Sequence, residues 1–532
     1  MKEVKSWFLN YRKQIIAIAV IELLILLQGI FYFEAVSPSR SVLLFSLVAM
    51  VLITIFALLI CRLSQTAEKG FRRLFLAAMI VLGAFYMVVF PPNSVPDEIY
   101  HFQSSYKCAD VLQGQFVNSK EITIRNADQV LFEDADQEVS ATHYRNVISN
   151  AEIFASEEGT TTVAVMSSFD MGSDPPQTKI ASALGIILGQ VLGLGAYPVY
   201  YLGRLFNFIS FLIFAYFAVR LAPFGKSIFM AVCLLPMTLH LATSYSYDVA
   251  IIGMGLLLTS LCLNAIYGKG IIDKKILIAI GVVTFLLAPC KIIYALIAFL
   301  VLFIPKERFS SRKVCWAVKA AVVFIALIGV FVMRASSIIG LSGVTEVVST
   351  AGNGGSAGQD VRGGQVGTFY NLSDVLSDPV GTFFLYLNAF GFLGPWYVET
   401  AVGGSLGWFQ SNIVANDLIV FVFIVLVLIA ALKSDDNDRD ISPLLRITLV
   451  VMVLAVCVLA AASMLFGHTF IGEPYIMGIQ GRYVLPAAAL LLFALQNHKI
   501  VYQGNQITLV VMGMYSMNLL YLNAIFASAL TL

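Results

Sequence analysis

The stretch "LFLAAMIVLGAFYMVVFPPNSVPDEIYHF", residues Leu74 to Phe102, decides how the chain folds. Leu74 to Phe90 carries no charged residue. A helix rising 1.5 Å per residue needs roughly 20 apolar residues to cross ~30 Å of hydrocarbon. Two prolines end this run, and a carboxylate pair, Asp97 and Glu98, follows with His101 behind it. The stretch reads as a membrane span that delivers acidic side chains to one face of a bilayer.

Composition extends that reading to the whole chain. Of 532 residues, 59% are hydrophobic and only 12% charged, and the mean hydropathy is +0.85, which a soluble domain of this length would not tolerate. The expected fold is an all-α polytopic integral membrane protein. Lysine plus arginine (33) balance aspartate plus glutamate (32), so net charge gives no sign of a nucleic-acid partner. The basic start is followed by an apolar run from Ile15 to Phe33, longer than a signal-peptide core, which is expected to be retained as the first span.

Basic segments gather in cytoplasmic loops, and this fixes orientation. They are the N-terminus, Arg62 to Arg73, Arg220 to Lys226, Lys269 to Lys275, Lys306 to Lys313 and Lys433 to Arg446. All lie on one side if Ile276 to Ile304, interrupted by "PCK", is a hairpin of two short spans. Ala181 to Leu194 and Val380 to Leu393 must then be interfacial or re-entrant. The result is about thirteen crossings, with the N-terminus inside.

Four regions are expected: residues 1–73, two N-terminal spans and a cytoplasmic loop; 74–335, a transmembrane module with the large outer loop 91–178; 336–417, a glycine-rich outer loop and re-entrant segment; and 418–532, a C-terminal four-helix region. The outer loop has enough mixed polarity for a small folded or membrane-lying subdomain.

In this topology the polar residues embedded in apolar runs fall at outer ends. Asp97 and His101, four apart, share a helix face, and Asp97 can serve as a general base. A plainer reading makes Ser94 to Asp97 a capping box with Pro96 in the first helical turn. Asp248 follows "ATSYSY" at an outer turn, and Lys291 sits at the tip of the short hairpin. A charge at membrane depth is a functional hypothesis, with snorkelling as its alternative. Arg204 and Arg482 also lie near outer ends and, with Lys291, would form a cationic wall suited to a phosphate.

With these residues in view, the chain resembles a bacterial family of polytopic membrane proteins, a domain of unknown function grouped with the GT-C glycosyltransferases. The resemblance is carried by "VPDEIYHF" (95–102), "DPPQTK" (174–179), "GRL" (203–205), "SYSYD" (244–248), "CKIIY" (290–294), "LGWF" (406–409) and "QGRYVLP" (480–486). It implies a GT-C-like fold at the bacterial cytoplasmic membrane, with the active site on the extracytoplasmic face. The implied activity moves a sugar from a polyprenyl-phosphate donor to a hydroxyl acceptor of a cell-envelope glycan.

The implied roles follow. Asp97 would be the base, with Glu98 as second carboxylate. Lys291, Arg482, Arg204 and Lys179 would hold the donor phosphate, and His101, Asp248, Tyr247, Tyr483 and Gln480 would orient substrate. No cofactor is expected to be required, and a divalent metal at Asp97, Glu98 and His101 is the alternative. The chain departs from the superfamily pattern in having two spans before the helix that enters the first outer loop. Three competing functions are a lipid-linked glycan flippase, an O-antigen ligase or polymerase using His468 in the late outer loop, and a non-catalytic assembly subunit.

Overall fold

The computed structural model describes residues 12–31, 40–63, 68–115, 121–133, 138–165, 175–341, 360–362, 365–407, 417–434, 439–496 and 499–530. Most of the glycine-rich stretch 351–367, Asp174, and Trp408 with Phe409 of "LGWF" lie outside them.

The protein is a multi-pass, helical membrane protein. Among the described residues, seven helices contain a stretch long and apolar enough to cross a bilayer: Arg40–Leu59, Gly70–Val89, Ala196–Leu221, Asp248–Tyr267, Arg312–Phe331, Pro443–His468 and Gln506–Ala529. Five further apolar helical segments are shorter, including Ile18–Phe31, Ile180–Val191 and Asp417–Ala431. Several expected spans are therefore shortened or broken, and proline is the recurrent cause. The run Ile228 to Leu241 splits into Lys226–Cys233 and Pro236–Ala242, with Pro236 opening the second helix where its missing N–H costs nothing.

The run Ile276 to Ile304 likewise splits around Pro289 into Lys274–Leu287 and a 3-10 helix, Ile292–Phe303. Lys291 is left extended at the break, φ −145° and ψ 121°. Pro486 accompanies a second 3-10 segment, Gly481–Ala487, before the helix Ala488–Leu495. The expected re-entrant segment Val380 to Leu393 is one longer helix, Pro379–Val402.

One helix is central. Asp248–Tyr267 is buried over 94% of its apolar window, and Ala196–Leu221, Lys274–Leu287, Ile292–Phe303 and Gly481–Ala487 all pack on it. Asp248 opens that helix, so its carboxylate is carried at one end of the most enclosed element. The first two helices, Arg12–Phe31 and Arg40–Leu63, are peripheral and pack on Gln506–Ala529. Ser46 Oγ lies 2.9 Å from Asn523 Oδ1, and Asn523 Nδ2 donates to Gln28 Oε1 at 2.8 Å. Glu22 is tied down inside this pair of helices, accepting from Thr54 Oγ1 at 2.5 Å.

The segment between Val89 and Ile180 folds into a small unit. Helix Glu98–Leu112 packs on helix Ile180–Val191, and β1 (Glu121–Arg125) pairs antiparallel with β2 (Thr160–Ala164). Arg125 closes the strand end by bonding Asp128 at 2.6 and 2.8 Å, and Tyr106 donates to the same carboxylate at 2.8 Å. Phe102, Tyr106, Tyr200 and Tyr245 pack ring to ring between this unit and the bundle. The capping-box reading fails here: helix Glu98–Leu112 starts after Asp97, which makes no side-chain cap, while Ser94 Oγ donates to Pro91 O at 2.7 Å.

Candidate functional site

Asp97 and Glu98 are neighbours in sequence and part company in space. Glu98 is fully buried and faces Arg204, also fully buried, with Arg204 Nε at 2.8 Å and Nη2 at 2.5 Å. The same guanidinium donates to Phe90 O at 2.6 Å and Pro91 O at 3.0 Å, and the Tyr245 N–H donates to Glu98 Oε1 at 3.1 Å. Arg204 therefore locks the double-proline turn onto the bundle. The structure gives this pair a complete set of internal partners, rather than the substrate-facing positions expected for Glu98 and Arg204.

Asp97 is turned the other way by its backbone. Among the described residues, Asn93 and Asp97 are the non-glycine positions at positive φ, both 61°, a left-handed geometry that Asn and Asp tolerate better than most. Asn93 is held there by Tyr200, whose hydroxyl accepts from Asn93 N at 3.0 Å and donates to Asn93 Oδ1 at 2.9 Å. The Asp97 side chain remains 55% exposed and meets Arg482 Nη2 at 3.4 Å.

From Arg482 a chain of charges runs inward. Arg482 Nε lies 3.6 Å from Asp248 Oδ2, and Lys291 Nζ bonds Asp248 Oδ1 at 2.8 Å. Lys291 is sandwiched between the rings of Tyr247 at 4.7 Å and Tyr483 at 4.8 Å, cation–π distances. Tyr294 anchors this side by donating to Tyr483 O at 2.7 Å. Lys291 thus stays at the hairpin break with an anionic partner and two aromatic faces, and snorkelling does not describe it.

Lys179 and His101 complete the cluster. Lys179 Nζ, fully buried, lies 3.0 Å from His101 Nδ1 and 5.6 Å from the Tyr247 ring centroid. Burial, then the Lys179 ammonium, Arg482 and Lys291, hold the imidazole well below its ordinary pKa. The ring is neutral at pH 7 and its Nδ1 is available to accept from Lys179.

A narrow cleft beside the cluster is lined by Pro96, Met237, His240, Thr400, Gln480 and Arg482, among others. Gly481 explains how this wall is built. A Cβ at that position would run into the backbone of Tyr397 and Ala401, and Gly481 N donates to Thr400 Oγ1 at 3.2 Å. Only glycine lets the "QGRY" turn press onto helix Pro379–Val402 and hold Arg482 between Asp97 and Asp248.

His240 is the residue that sequence reasoning missed. Its Nε2 accepts from Gly407 N at 3.2 Å, while its buried Nδ1 has no hydrogen-bond partner among the described residues. The signal was its place eight residues before Asp248 in "LHLATSYSYD".

The structure therefore brings together Asp97, His101, Lys179, Tyr247, Asp248, Lys291, Gln480, Arg482 and Tyr483 at one end of the bundle, and sets Glu98 and Arg204 apart. The metal alternative does not fit: Glu98 is bound to Arg204, His101 Nδ1 faces Lys179, and the described residues contain no group of three or more His, Cys, Asp or Glu side chains placed to hold an ion.

A protein-family description, "Predicted membrane protein (DUF2142)", matches residues 79–491. The match spans the whole cluster and leaves out the first two helices. No curated protein and no solved structure matches the chain.

Proposed function

The chain belongs to DUF2142, a family of predicted membrane proteins, and from that premise we propose that it is a GT-C-type glycosyltransferase of a bacterial cytoplasmic membrane. In this reading it moves a sugar from a polyprenyl-phosphate donor to a hydroxyl of a cell-envelope glycan. The N-terminus is inside and the Asp97 end faces outward, because the opposite end carries the basic loops.

The observation that carries the reading is the alternation Asp97, Arg482, Asp248, Lys291, drawn from four distant segments onto one bundle end. Sugar transfer from a phosphodiester needs a base for the acceptor proton and cations for the departing phosphate. Asp97, the exposed carboxylate, takes the proton from the acceptor hydroxyl as its oxygen bonds C1 of the sugar. The C1–O bond to phosphate breaks, and its electron pair stays on the polyprenyl phosphate. Lys291 and Arg482 stabilise that anion, with Lys179 behind them. Asp248 keeps the two cations apart before the donor arrives, and Tyr247 and Tyr483 fix Lys291 in line. His101 holds Lys179, and Gln480, two residues before Arg482, orients a sugar hydroxyl.

The test is a panel of radiolabelled polyprenyl-phosphate sugars given to the protein in lipid with an envelope fraction as acceptor. Release of polyprenyl phosphate together with labelled acceptor supports transfer. Movement of an intact donor across the bilayer would support a flippase instead.

A further inference from the structure

A second site lies at the other end of the bundle. Helices Glu68–Val89 and Ala196–Leu221 run side by side, closely apposed where a Cβ on Gly83 would strike the Phe208 ring. Beyond that contact they part to leave a groove of about 550 Å³, within the ~300–1,000 Å³ range of ligand clefts. Leu76, Ile209, Ile213 and Phe217 form its apolar walls, and Arg72, Arg73 and Arg220 its rim. Among the described residues that line it there is no carboxylate.

The dimensions suit one class of occupant. From Ile209 to Arg220 the helix rises ~16 Å, about half the ~30 Å hydrocarbon core. An apolar channel one leaflet deep that ends in guanidinium groups matches a molecule with a hydrocarbon tail and an anionic head. Ile213 is 51% and Phe217 40% exposed, so the groove opens sideways to lipid. Along helix Glu68–Val89, Arg73, at the charged rim, is ~24 Å from Val89, which puts the guanidinium groups out of reach of the Asp97 cluster. We propose that it is a binding site for an anionic phospholipid of the leaflet on the basic side, with the phosphate held by Arg72, Arg73 and Arg220 and one acyl chain lying between the two helices.

The test uses the full chain in nanodiscs of mixed phosphatidylglycerol and phosphatidylcholine, with the lipid retained on detergent extraction counted by native mass spectrometry. The wild type should retain phosphatidylglycerol in preference. Arg73→Gln and Arg220→Gln should each lower that preference about fivefold, the equivalent of ~1 kcal/mol per basic residue near an anionic surface. Ile213→Trp, which fills the groove and leaves its charges alone, should lower retention as well. Arg220→Lys, keeping the charge, should restore most of it and controls for folding. Equal retention of both lipids, retention unaffected by Ile213→Trp, or displacement of phosphatidylglycerol by inorganic phosphate would overturn the proposal.

Discussion

Two arginine–carboxylate pairs, starting from adjacent residues, end in opposite circumstances. Glu98 with Arg204 is sealed, both side chains at 0% exposure. Asp97 with Arg482 is loose at 3.4 Å and 55% exposed on the carboxylate side. A buried pair with every polar atom matched holds a backbone turn in place and has nothing left for a ligand. A pair with an open edge, linked to further charges, can exchange partners. The left-handed backbone at Asp97 is what separates the two, since it turns one carboxylate outward just before the helix carries the other inward.

The largest effect should come from breaking the sealed pair. Arg204→Ala leaves a buried charge on Glu98 and frees the Phe90 and Pro91 carbonyls, a loss of about 3–5 kcal/mol. It should appear as a collapse of the thermal midpoint in detergent; a midpoint near wild type would mean that this pair is not structural.

Breaking the open cluster should have the opposite signature. Lys291→Ala should lower turnover by about 10²–10³, or ~2.7–4 kcal/mol of transition-state stabilisation. Asp248 retains Arg482 nearby, so the midpoint should move by only a few degrees. Unchanged turnover and donor affinity would remove Lys291 from the phosphate site.

These two pairs also show what the sequence could and could not reveal. Positive-charge placement put Asp97, Asp248, Lys291 and Arg482 at one end of the expected bundle, where the structure brings them together, and Pro289 marked the break at which Lys291 stands. The different fates of Asp97 and Glu98 were not legible, because both suit a helix start and a single backbone rotation decides between them. Arg204 and Arg482 looked alike for the same reason: "GRL" and "GRY" do not reveal which arginine will find a fully buried carboxylate. Broken spans were only partly readable, since a proline interrupts an apolar run without specifying whether the chain continues as α-helix or 3-10.

A smaller effect, again on the open side, concerns pH. The folded-state pKa of His101 is depressed, whereas the unfolded value is about 6.5. Its contribution to stability is therefore complete above that pH and is lost as pH falls through the folded-state value. Thermal midpoints should decline below about pH 6.5, and His101→Asn should flatten that slope. An equal decline in the variant would assign it elsewhere.

The smallest effect would sharpen the backbone argument. Asp97→Gly removes the cost of a left-handed non-glycine residue and should add about 0.5–1 kcal/mol of stability while turnover disappears. A destabilised Asp97→Gly would show that the carboxylate supports the fold.

The central claim is that Asp97 is the base of a sugar transfer. Its direct measurement is release of polyprenyl phosphate by wild type and Asp97→Asn, both in lipid with the donor that the wild type accepts, and with folding verified by matching thermal midpoints. The account predicts release by the wild type alone. Equal release by a correctly folded Asp97→Asn would contradict it.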